Sequence, residues 1–449
     1  MSAPAPRSSI LRTTLLVLPA QIAFRGLEAI LPLLLAYWFG RNDATDVYYF
    51  AWAVFAFAGS LVFGAFHDSA IVPILAEERI ARPKELPRLL GSLLVHTWAV
   101  GGAIGTVVGA IALGWFRFRY DAPHFAIAAR MVVPFSLYLV AMSTRTFFST
   151  LLVVERRFFV QPLASAGGMI VNVAILATLN DAVGVALVPA AALVGELVAA
   201  SLLALYTTRL AAIRIRLCFE RPPALIAFAR LAASEVGGGA VTRLNPVVDQ
   251  LMAGLAGVVG GGTVLRYSGD VSSLPTSLLQ AALLPILLSH LAEDFARRDL
   301  ATIRRTVVRA LAAVTAILVA MAALLFALRA PILRFVFLRG EMDVAGVDRM
   351  IAILPYHLVG LAPFGALLVL ARANVATKNS AIMVGMGVLN ASLNVVLNVL
   401  LVRVLGLDGI ALATSLVHLI VAIVFWFRFE ARLAQLRGGP ARTPEREAA

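Results

Sequence analysis

Thiols are almost missing from this chain: Cys218 is the one cysteine in 449 residues. A disulfide within the chain is excluded, and so is a metal cluster built on thiolates. Cys218 lies on a predicted cytoplasmic loop and reads as inert. Histidine is scarce too, with six scattered residues and no His-Glu-x-x-His zinc motif. No Gly-rich phosphate loop precedes a helix in the way a P-loop requires. The longest outer loops, near 116–128 and 329–348, are too short to hold a catalytic domain. The carboxylates of "LRGEMDVAGVD", residues 338–348, read as a solvated loop rather than an acid/base pair. No enzyme activity, metal or cofactor is expected. Charge is thin as well: Asp, Glu, Lys and Arg make up 14% of the chain, against about a quarter in an ordinary soluble domain.

Apolar sequence fills the space. Hydrophobic residues reach 61% and the mean hydropathy is +0.90, a surplus too large for one buried core but suited to a surface facing lipid. Apolar stretches of about 20 residues recur along the chain, each long enough to cross ~30 Å of hydrocarbon at ~1.5 Å per residue. They predict an all-α polytopic membrane protein of about twelve spans: 14–39, 47–75, 89–115, 129–154, 158–179, 182–207, 225–258, 263–292, 306–328, 349–371, 380–402 and 407–430. The basic start and small residues near Ala23 resemble a cleaved leader, but the apolar run continues to Phe39, so a retained first span is expected.

The net charge of +13 could suggest nucleic acid, but its placement points elsewhere. With the N-terminus inside, 24 Lys and Arg fall on cytoplasmic segments and eight on outer ones. That asymmetry predicts a multi-pass inner-membrane protein with both termini cytoplasmic, its basic loops meeting anionic lipid headgroups.

The two halves of the chain resemble each other. "VNVAILATLNDAVGVAL" at 171–187 and "LNVVLNVLLVRVLGLDGIAL" at 393–412 share an Asn near a span start, an aliphatic run, an outer turn with Asp and Gly, and a Gly-aliphatic-Ala-Leu restart. Asn172 matches Asn394 and Gly184 matches Gly409. Six spans per half is an even number, so the repeat is parallel. The expected organisation is a six-helix lobe at 1–207, a cytoplasmic linker at 208–224, a second lobe at 225–430 and a polar tail at 431–449, with a central cavity between the lobes.

Ions inside the spans mark candidate functional positions, because an ionised side chain at mid-membrane costs about 3 kcal/mol and needs a partner or a wet cavity. Arg25 lies ~17 Å and ~21 Å of helix from the two ends of its span, too far to snorkel comfortably. Glu28 is three residues on and shares its face. Gly26 and Pro32 would let that helix bend. Further candidates are Asp68, Arg145, Glu196, Glu235, Arg243, Asp249, Arg266 and Asp270. The arginines suit an anionic headgroup, which Arg grips with paired donors. The carboxylates would hold them in place or couple to a cation or proton. Signs are roughly balanced, which leaves a cation- or proton-coupled solute antiporter open as a reading, and a membrane assembly protein that transports nothing as another.

Two stretches carry a family likeness: "FGRNDATDVYYFA" at 39–51 and "IVPILAEE" at 71–78. The chain resembles the bacterial lipid II flippases of the MurJ (MviN) family, within the superfamily of multidrug/toxin extruders and polysaccharide flippases. The likeness continues at 155–177 and 262–295 and is traceable over about residues 14–430. It implies a two-lobed fold and export of an undecaprenyl-pyrophosphate-linked sugar from the inner to the outer leaflet. With the charged spans, the expectation is a monomer that works by alternating access; the loop-by-loop placement of Lys and Arg leaves no nucleic-acid partner expected. Arg25 falls on a functional arginine of the family and Asp46 on a matching acid. Where the family has further cavity arginines, this sequence has Leu31 and Gly59, and Asp270 or Val271 in the eighth span. The family's two further C-terminal spans do not follow residue 430.

Overall fold

The computed structural model describes residues 26–60, 72–155, 157–226, 228–229, 241–282, 287, 290–291, 293–295, 297–379 and 382–438. Helices account for nearly all of the regular structure there. In chain order they are α1 (Gly26–Phe39), α2 (Asp43–Gly59), α3 (Val72–Ala81), α4 (Leu86–Arg119), α5 (Ala122–Val154), α6 (Val160–Val183) and α7 (Leu187–Leu205). After the short 3-10 helix Val241–Leu244 come α8 (Asn245–Leu255), α9 (Gly261–Ala282), α10 (Leu300–Phe337), α11 (Val344–Val359), α12 (Leu361–Ala376), α13 (Ile382–Leu405) and α14 (Leu407–Gly438). Among the described residues seven helical stretches are long and apolar enough to cross a membrane. One of them, Val160–Leu210, has 51 residues, or ~77 Å of helix, far more than one crossing needs. Gly184, at φ +72, breaks it between α6 and α7, and these two helices pack on each other as a hairpin.

The chain divides into two compact units. Unit 1 holds residues up to Leu251 together with Val258–Thr263 and Val336–Val344; unit 2 holds Met252–Gly257, Val264–Phe335 and the chain from Ala345 onward.

In unit 1, α5 packs against α2, α4 and α7. Association between helices in lipid gains little from the hydrophobic effect and rests on close packing. Small residues provide that closeness: Ala164, Gly168 and Asn172 on α6, and Ala191, Gly195 and Ala199 on α7, all buried and all four residues apart. The segment 216–220 is pinned to the start of α4, where Arg216 N–H donates to Pro87 O at 2.8 Å and Ser92 Oγ to Glu220 O at 2.5 Å. The Cys218 thiol lies 3.3 Å from Arg88 O in the same strip.

Between α1 and α2, Gly40 takes a left-handed conformation, φ +57, to turn the chain out of α1. Asn42 then caps α2 through a reciprocal pair of bonds with Thr45. Arg41 grips Asp343 with two bonds of 2.8 and 3.1 Å and donates a third to Val259 O. That hydrogen-bonded partner holds the guanidinium pKa above its ordinary value. Asn42→Ala removes the side-chain half of the cap, the bond from Thr45 N–H to Asn42 Oδ1, and leaves the backbone half to Thr45 Oγ1; it is expected to cost about 1 kcal/mol, read as a lower apparent Tm in detergent with transport retained.

In unit 2, α14 packs against α12 and α13. The predicted span 349–371 is two helices, α11 and α12, meeting at Gly360. Pro355 lies inside α11 and cannot donate to the ladder. Ser415 Oγ on α14 donates to Tyr356 O at 2.6 Å beside the break. The predicted span 306–328 lies within the 38-residue α10, ~57 Å long, whose Arg304 pairs with Glu430 of α14 at 2.8 Å.

Candidate functional site

The groove between α2 and α5 holds a cavity of about 370 Å³. Its walls follow helical spacing. From α2 come Trp52, Phe55, Ala56 and Gly59; from α5 come Phe135, Tyr138, Leu139, Met142 and Arg145. Steps of three and four residues keep each set on one helix face. Phe55 stacks on Phe135 with ring centroids 5.1 Å apart and planes 16° apart, both rings buried, which forms a fixed back wall. Trp52 is only half-buried and stands 6.0 Å from Phe135 and 6.1 Å from Tyr138 at splayed angles of 48° and 59°.

Charge gathers at the end of the cavity where Gly59, Ser60, Arg145 and Thr146 meet. Arg145 Nε donates to Glu196 Oε1 on α7; the side chains are 21% and 12% exposed, so the pair is largely shielded from solvent. Arg243, on the 3-10 helix Val241–Leu244, donates through Nη1 to the carbonyl of Ser60, just past the C-terminus of α2. A cation there complements the partial negative charge of that helix end. Glu28 on α1 lies within electrostatic reach of both Tyr138 and Arg145.

Of the ions singled out from sequence, Arg145 therefore lines the opening, Glu196 pairs with it, Glu28 acts on it electrostatically, and Arg243 bonds the carbonyl of Ser60 on the cavity wall. The other candidates have their own settings. Asp46 receives the backbone N–H and the hydroxyl of Thr263, both at 2.7 Å, and so binds the first turn of α9. Asp249 sits half-buried on α8 and is not among the residues lining the cavity. Arg266 and Asp270 pair with each other one turn apart on α9, at 3.0 Å, in unit 2. Arg25, Asp68 and Glu235 lie outside the described residues. The sequence reading passed over Trp52 and Tyr138. The signal was present as an aromatic stripe, Trp52–Phe55 facing Phe135–Tyr138, but an aromatic in a span reads equally well as lipid-facing. Gly59, where the family likeness implies an arginine, lines the same cavity as Arg145.

A family model described as lipid II flippase MurJ matches residues 35–443. No curated protein matches the chain. Among solved structures, lipid II flippase MurJ in an inward closed conformation is 19% identical with a TM-score of 0.76, covering 95% of this chain and 90% of that one. An inward-facing multidrug resistance MATE family transporter of the MOP superfamily is 14% identical with a TM-score of 0.77, covering 94% and 96%. A MOP superfamily transporter from Pyrococcus furiosus, described by a reversed polarity of its binding pocket, is 14% identical with a TM-score of 0.59, covering 96% and 94%. At these identities the structural likeness shows the fold alone, an all-α transporter fold.

Proposed function

Since the chain belongs to the MurJ lipid II flippase family, we propose that it moves a lipid-linked oligosaccharide, lipid II-like and carried on undecaprenyl pyrophosphate, from the inner to the outer leaflet of the bacterial cytoplasmic membrane by alternating access. The observation that carries this reading is the family match over residues 35–443. Arg145, which lines one end of the α2–α5 cavity, and Arg243, which bonds the carbonyl of the cavity residue Ser60, support an anionic headgroup as cargo, because guanidinium forks pair with phosphate oxygens. Arg25 joins them as a binding cation on the strength of its mid-span position and the family likeness. Arg266 is the remaining candidate cation. Glu28, Asp46, Asp68, Glu196, Glu235, Asp249 and Asp270 hold these cations or couple transport to a proton or cation. The protein acts as a monomer, with two six-helix halves in parallel repeat, both termini in the cytoplasm and no catalytic step of its own.

The test is depletion of the protein in cells that make lipid-linked sugar precursors. The expected result is precursor trapped in the inner leaflet, inaccessible to reagents added outside. Unchanged outer-leaflet precursor would overturn the flippase reading. Re-expressing an Arg25→Ala variant is expected to leave membrane insertion intact and transport abolished; full transport would remove Arg25 from the mechanism.

A further inference from the structure

We infer that the α2–α5 cavity seats one sugar ring of the cargo, stacked on Trp52. The inference rests on the flippase reading and adds to it where the glycan, rather than the pyrophosphate, is recognised. The volume of about 370 Å³ lies at the small end of ligand pockets, ~300–1,000 Å³. It has room for a ring or two and not for a polyprenyl chain.

The wall chemistry selects the occupant. Phe55 and Phe135 are locked against each other, whereas Trp52 and Tyr138 are splayed and half-buried along the opening. The face of an aromatic ring is electron-rich, and a pyranose offers to such a face its axial C–H bonds, which are weakly positive. Its equatorial hydroxyls then point outward around the rim and need polar partners. Those partners stand at one end of the same cavity: Arg145, with one of its five N–H donors taken by Glu196, and Thr146, whose hydroxyl donates to Met142 O at 2.8 Å and keeps its lone pairs to accept. An acyl chain would leave the Arg145–Glu196 pair facing hydrocarbon, which desolvates charge without return.

The experiment compares two probes on the purified full chain: farnesyl pyrophosphate, which has no sugar, and farnesyl pyrophosphate bearing one N-acetylhexosamine. Wild type is expected to bind the sugar-bearing probe more tightly. Trp52→Ala should weaken that probe about tenfold, which is ~1.4 kcal/mol, and leave farnesyl pyrophosphate unchanged. Trp52→Phe, which keeps an aromatic face, should stay within about threefold of wild type for both. Tyr138→Ala gives the same reading if Trp52→Ala does not fold. Equal losses for both probes, or none for either, overturn the subsite while leaving the flippase reading standing. Wild-type protein that binds neither probe overturns both.

Discussion

Glu196→Ala is expected to cost on the order of 3 kcal/mol of stability and to abolish transport. The cost follows from what the substitution leaves behind. Arg145 is largely shielded and its Nε donates to Glu196; without that carboxylate the guanidinium remains in the helix bundle without its hydrogen-bonded counter-charge, and only the longer-range charge of Glu28 offsets its desolvation. Breaking a buried pair from one side costs about 3–5 kcal/mol, and the 12–21% residual exposure here places the value toward the lower bound. Replacing both partners tells a different story. An Arg145→Met, Glu196→Leu double variant removes two charges together and is expected to fall within about 1 kcal/mol of wild type, or above it. Its transport should still be absent, because the cation at the cavity is gone. Apparent Tm in detergent and flipping of a fluorescent lipid-linked sugar in vesicles read the two effects separately. A double variant that is stable and transports normally would make the pair structural only.

That separation matters because the positive charge sits in an unusual place for the family likeness. Gly59 stands where the likeness implies an arginine, and a side chain there would press first on the Met142 Cε and Leu139 Cδ2 atoms, 2.9 and 3.1 Å from its Cβ. Leaving Gly59 bare keeps the groove open, and Arg145 supplies charge to the same space from the opposite helix. The cavity is thereby lined by aromatics along its length and by a cation, Arg145, at one end.

The spans themselves could be read from hydropathy, since a run such as 158–179 has no alternative in water. α6 was placed within two residues at its start and four at its end. The ends of α10 were not, because a helix continuing past the hydrocarbon into basic sequence gives no hydropathy signal at Arg304 or Arg305. The break at Gly360 was hidden for the opposite reason: the sequence stays apolar through it, and the compensating bond comes from Ser415, 59 residues beyond Tyr356. At the site, Arg145 and Glu196 were each conspicuous as charges within spans. Their pairing was not legible, because it joins helices 51 residues apart in sequence and depends on how α5 and α7 rotate against each other. Asp46 was marked by the family likeness, but its bond to Thr263, 217 residues away, could come only from the fold.

The rotation of α7 is fixed by glycine, and Gly195→Ala is expected to cost about 3 kcal/mol or more, with expression falling steeply. A Cβ at Gly195 would lie 2.5 Å from the carbonyl oxygen of Gly168 and 3.0 Å from Asn172 Cβ. A Cβ at Gly168 would run into the Gly195 carbonyl oxygen in turn, and approach Ala199 Cβ to 3.0 Å. Neither obstacle is the far end of a flexible side chain, so the helices themselves must separate. Overpacking of this kind typically costs 1–3 kcal/mol and more when backbone must move. Moving α7 also disturbs the register of Glu196, the next residue along, against Arg145, so transport should fall further than stability alone accounts for. Gly114→Ala on α4 is the matched control. Nothing lies within 4 Å of a Cβ there, and alanine is the better helix former by ~1 kcal/mol. The same substitution should therefore be neutral or stabilising at Gly114 and severe at Gly195 and Gly168, as measured by monodisperse yield and apparent Tm. Equal tolerance at all three would mean that α6 and α7 do not meet through these glycines.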